Sequence, residues 1–109
     1  MAQPERTVAE TRTEQFALVE SLISEQKTSQ AEVLVTELLE QARVAGDTSF
    51  LVQALTAQGG VFIITSQYAS ALETLFQAHE MLNESVANEI RALLHDYIGV
   101  AYGNSGLLE

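Results

Sequence analysis

The chain of 109 residues has no cysteine, a single proline and few aromatic side chains. Without cysteine there is no disulfide framework, no thiolate nucleophile and no zinc knuckle. Basic residues are scarce as well: five Lys and Arg against fifteen Asp and Glu leave a formal charge of −10. Phosphate binding needs clustered cations, so this balance argues against nucleic acid, and equally against an anionic membrane surface. No apolar run approaches the ~18 residues that would suggest a membrane span. The segment from Met1 to Gln15 is polar and acidic, which is not the pattern of a signal peptide. What remains is a cytoplasmic domain. Its 47% hydrophobic content is too high for a disordered chain and large enough for one small core.

Helical periodicity runs through the chain. Pro4 suits a first helical turn. Val8, Phe16, Val19, Leu22 and Ile23 then recur at spacings of three and four, and predict a helix ending near Gln26 or Lys27. Ser29 followed by Glu32 reads as a capping box for a second helix carrying Ala31, Leu34, Val35, Leu38, Leu39 and Ala42. Gly46 supplies a left-handed C-cap and Asp47 the next N-cap. A third helix is expected over about 48–64, although it holds Gly59-Gly60 and the β-branched, strand-like run Val61-Phe62-Ile63-Ile64. A fourth spans about 68–82 and buries Ala71, Leu72, Leu75, Phe76 and Ala78, with Asn83 closing it. A fifth runs from about Val86 to Tyr102, capped by Ser85, with Ile90, Leu93, Leu94, Tyr97, Ile98, Ala101 and Tyr102 as its apolar set. Asn104-Ser105-Gly106 is a turn signal, after which Leu107-Leu108-Glu109 opens a new segment.

Shifting the sequence by 40 residues superimposes Gly59 on Gly99, Phe62 on Tyr102, Ala31 on Ala71, Ile23 on Ile63 and Val35 on Leu75. A small residue in mid-helix lets a neighbouring helix approach, and an aromatic one turn later fills the groove beside it. Packing therefore explains Gly59 where helix propensity does not. Leu55, Gly59, Phe62, Tyr68, Ala71, Leu75 and Ala78 form a large, small, aromatic, aromatic, small, large, small series that resembles the tetratricopeptide repeat. A third unit keeps Gly99, Tyr102 and Gly106 but has His95 at a usually apolar place. A first unit keeps Leu22, Ala31 and Val35 but has Val19 at the small one. The family's helix-closing proline is missing, and the period exceeds its usual ~34 residues. Longer repeats with a joint such as Gly46-Asp47 are similar to arrays in multidomain bacterial signalling proteins.

The resemblance implies an all-α, right-handed superhelix of antiparallel helix pairs, with five helices in a single domain over 1–109. Its units are about 12–51, 52–91 and an incomplete 92–109, as in a fragment of a longer protein. It also implies a non-enzymatic, cofactor-free interaction module, such as a regulatory region ahead of a diguanylate cyclase, kinase or DNA-binding output domain. In this family the first helix of each pair lines a concave face. Carried over residue by residue, that face is Phe16, Glu20 and Ile23, then Thr56, Gly60 and Ile63, then Asp96, Tyr97 and Val100. Gly59, Phe62, Tyr68, Ala71, Leu75, Ala78 and Gly99 become the packing residues. The lysines and asparagines with which some members clamp a peptide carboxylate are absent there. The partner expected is a basic or amphipathic protein or peptide, not an acidic tail. The alternative is self-association as a homodimer, through Leu93, Leu94, Ile98 and Tyr102 exposed on an unpaired last helix.

Residue chemistry points the same way. His79 and His95 lie 16 apart, outside the spacing of about three or four that a metal pair on one helix needs. Both read as surface or interhelix residues, and no metal is expected. Ser24, Ser29, Ser66 and Ser105 fit turns and caps, without a nucleophile-elbow pattern. Gly59-Gly60 lacks the Lys-Ser or Lys-Thr of a phosphate loop. The acidic series Glu10, Glu14, Glu20, Glu25, Glu32, Glu37 and Glu40 reads as solvated helix faces.

Overall fold

A computed structural model describes residues 8–106, with side chains from Thr11 onward. The expectations for Pro4 and for Leu107 to Glu109, and those for the side chains of Val8 and Glu10, lie outside the described residues. Among the described residues five helices follow one another: α1 Val8–Ser24, α2 Thr28–Ala45, α3 Thr48–Ile64, α4 Tyr68–Glu80 and α5 Asn88–Ser105. No strand occurs among the described residues. The first three connections, 25–27, 46–47 and 65–67, are too short for anything but antiparallel neighbours.

α3 packs against all four other helices, which is why the strand-like run inside it is helical. Buried residues lie all around it, including Phe50, Val52, Leu55, Thr56, Gly59 and Val61. A helix that is apolar all round can only be a central one. α1 packs on α3 and α3 on α5, whereas no Cα of α2 comes within 8 Å of one in α4. The odd-numbered helices thus form one layer, with α2 and α4 on its other side. Val19, Leu38, Val52, Leu75 and Leu94 are fully buried in the single core.

The 40-residue period is visible in the backbone. α1 ends at Ser24 and α3 at Ile64; α2 starts at Thr28 and α4 at Tyr68; α3 starts at Thr48 and α5 at Asn88. The turns repeat bond for bond. Gln26 N–H donates to Ile23 O at 3.0 Å and Lys27 N–H to Leu22 O at 2.9 Å. Forty residues on, Ser66 donates to Ile63 at 3.0 Å and Gln67 to Phe62 at 2.8 Å. Gln26, Ser66 and Gly106 have φ of 57°, 60° and 79°, so all three odd-numbered helices end in a left-handed residue.

Local signals held where backbone chemistry alone decides. Gly46 adopts φ 64° as the C-cap of α2, and Asp47 Oδ1 accepts from Phe50 N at 3.2 Å. Three local expectations are corrected. α1 stops at Ser24, and α2 begins at Thr28 without a side-chain cap, so the Ser29–Glu32 capping box does not form. The left-handed turn at Gln26 launches α2 directly, which places Ser29 inside its first turn. α4 stops at Glu80 and α5 begins only at Asn88. Between them the Asn83 side chain accepts from Ser85 N at 2.8 Å, so Ser85 closes a turn instead of capping a helix. Phe76 is exposed and meets Tyr102 edge-on, with centroids 5.9 Å apart.

Candidate functional site

The three odd-numbered helices enclose a cavity of about 100 Å³. α1 contributes Phe16, Val19, Glu20 and Ile23, and α3 contributes Gln53, Thr56 and Ala57. α5 contributes Glu89, Ile90, Leu93 and Tyr97. The α1 set follows i, i+3, i+4, i+7 spacing, which places it on one helical face. Below the cavity the three helices meet at Gly60, where an added Cβ would lie 2.8 Å from Tyr97 Cε2 and 3.0 Å from Ile23 Cδ1. Only a bare Cα leaves room for both side chains.

The lining is mainly apolar, with polar groups at set places. Thr56 is almost fully buried, and its hydroxyl donates to Val52 O at 2.8 Å. Burial raises the pKa of the Tyr97 phenol above its ordinary 10.0, and the negative charge of Glu20 raises it further. The Glu20 and Glu89 carboxylates are exposed and are the only charged groups among the described residues of the lining. Neither forms an ion pair among the described residues, where Arg12 pairs with Asp47 and Lys27 with Glu25.

Five of the nine residues expected on the concave face come together here: Phe16, Glu20, Ile23, Thr56 and Tyr97. Gly60 does not offer space to a ligand backbone, because Tyr97 and Ile23 already occupy it. Ile63, Asp96 and Val100 are outside the lining, and Glu89, Ile90 and Leu93 stand in place of the latter two. Ile23 and Tyr97 meet at Gly60, so residues 37 apart touch there, while Phe16 meets Phe50, 34 residues on, and a strict 40-residue carry-over misses both contacts. Helical spacing back from Tyr97 reaches Leu93 and Ile90, and it is the packing at Gly60 that turns this side of α5 toward the cavity.

The expected self-association surface is also corrected. Leu94 is fully buried in this chain's own core, Ile98 and Tyr102 are half-buried against it, and Leu93 is half-buried. α5 packs against both α3 and α4, so it is not an unpaired helix. Among the packing residues, an added Cβ at Gly59 would lie 2.5 Å from Leu75 Cγ, so α4 does approach α3 there. Its counterpart Gly99 is exposed, and a Cβ would meet nothing within 4 Å. Nothing described packs at Gly99.

His79 and His95 are exposed on α4 and α5, with ring centroids 5.6 Å apart. No group of three or more His, Asp or Glu among the described residues is placed to hold a metal ion. No described helix is long and apolar enough to cross a membrane. Glu20, Glu25, Glu32, Glu37 and Glu40 are all exposed, as solvated helix faces should be.

No protein-family model matches the chain, and no curated protein or solved structure matches it either.

Proposed function

We propose that the chain is a protein–protein interaction module built like a tetratricopeptide array, which takes a peptide segment of a partner along the face formed by α1, α3 and α5. The observation that carries this reading is the shared cavity: three helices that recur every 40 residues contribute to one lining. At about 100 Å³ it is well below the ~300–1,000 Å³ typical of small-molecule sites. It has the size of a socket for one side chain, not of a cofactor or metabolite pocket. The acidic rim and apolar walls favour a basic or amphipathic segment. A regulatory role ahead of a signalling output domain in a bacterial protein is the family analogy that accompanies this reading.

The test is an amide-shift map by NMR against short helical peptides of graded charge. Shifts gathered on 16–23, 53–60 and 89–97 are expected. Saturable binding mapped instead to the outer faces of α2 and α4 would overturn the reading.

A second reading, self-association, has its own observation, at a different surface from the one the sequence indicated. Leu18 and Val33 are 52% and 61% exposed, and they line an apolar groove between α1 and α2 on the side away from α3. Light scattering on the Leu18→Glu, Val33→Glu double variant tests it: a dimeric parent should become monomeric.

A further inference from the structure

We infer that the cavity between α1, α3 and α5 is a socket for one arginine side chain of the partner segment, with the guanidinium held at the mouth by Glu20 and Glu89. This rests on the peptide-binding reading above and names the chemistry of its anchor. The floor and walls are Val19, Ile23, Ala57 and Leu93, suited to the aliphatic part of a long side chain. Among the described residues, the two carboxylates lining the same cavity pair with no cation. Two aromatic rings, Phe16 and Tyr97, also line the cavity. A carboxylate beside an aromatic face selects a planar cation, which accepts stacking and paired hydrogen bonds at once.

The chain already holds an arginine this way elsewhere. The Arg12 guanidinium lies 4.0 Å from the centre of the Phe50 ring and pairs with Asp47 Oδ2 at 3.2 Å. Phe50 in turn meets Phe16 of the cavity edge-on, with centroids 5.9 Å apart. The socket offers the same two kinds of group, since Glu20 is near enough to Tyr97 to act on its phenol and both line the cavity. The net charge of −10 adds long-range attraction for a basic segment.

The probes are four blocked helical peptides, identical except for a central arginine, citrulline, lysine or glutamate, titrated while amide shifts are read. The arginine peptide should perturb Leu93 and Tyr97 saturably, and its citrulline counterpart should bind about tenfold more weakly. Glu20→Gln combined with Glu89→Gln should remove the arginine preference and leave residual citrulline binding unchanged. Both glutamates are exposed, so the fold should survive, and the amide spectrum reports this directly. Equal binding of arginine and citrulline at these residues overturns the socket while keeping the peptide-binding face. Equal binding of lysine overturns the choice of a planar guanidinium. Shifts confined to other surfaces overturn the socket and the face together, as does the absence of binding by all four peptides.

Discussion

Gly59 and Gly99 occupy equivalent places in the 40-residue repeat, yet alanine should act on them in opposite directions. In a helix interior, replacing glycine by alanine gains about 0.8–1 kcal/mol from backbone propensity. Gly99 is exposed in α5 with open space where a Cβ would go. Gly99→Ala should therefore stabilise by nearly that full amount. At Gly59 the new Cβ would stand 2.5 Å from Cγ of Leu75, which is itself fully buried. Overpacking of this kind costs about 1–3 kcal/mol. After the propensity gain, Gly59→Ala should destabilise by ~1 kcal/mol. The two variants should differ by ~2 kcal/mol, or ~8 °C in Tm at ~4 °C per kcal/mol for a chain of this size. Urea unfolding gives the free energies, and an unchanged slope confirms that the comparison concerns stability alone. If Gly59→Ala is as stable as Gly99→Ala, the close approach of α4 to α3 is wrong. If Gly99→Ala destabilises, something covers that face of α5 in solution.

Leu94→Ala should cost ~2–5 kcal/mol in urea unfolding, as expected for a fully buried leucine. A change in solution mass without loss of stability would instead restore Leu94 to an interface. Ser66 ends α3 in a left-handed conformation at φ 60°, so Ser66→Gly should stabilise by ~1 kcal/mol. An unchanged urea midpoint would refute that. The raised pKa of Tyr97 means that the folded chain favours the neutral phenol. Its contribution to stability is complete below the ordinary tyrosine value of about 10 and is lost as pH climbs from there through the raised value. Tyr97→Phe should remove this alkaline loss, and Glu20→Gln should shift the phenol partway back toward its ordinary value. Ultraviolet titration showing Tyr97 ionising at or below the ordinary value would contradict the burial described.

Much of the architecture is legible in residue order because it depends on neighbours along the chain. The helical reading of 48–64 held against its β-branched run, since Gly59 had a packing reason that the 40-residue shift exposed. Gly46 and Asp47 act as cap and counter-cap because a left-handed turn and an N-cap are local chemistry. Composition excluded a disulfide framework and argued against nucleic acid for the same kind of reason. Ser29 shows where local reasoning stops: its capping box matched in sequence, but the Gln26 turn had already started the helix.

The site belongs to the other category. Periodicity reveals which face of a helix is apolar, but carries no information on how far one helix slides along the next. Which residues meet is set by side chains interlocking across the interface, here Ile23, Gly60 and Tyr97. That packing brings Glu89, Ile90 and Leu93 to the cavity and leaves Asp96 and Val100 outside it. The same packing lays α5 on α3 and α4, which sends Leu94 into the core where an unpaired helix would have exposed it. Faces and turns follow from neighbours in the chain, whereas axial offset and coverage arise only when separate helices compete for the same space.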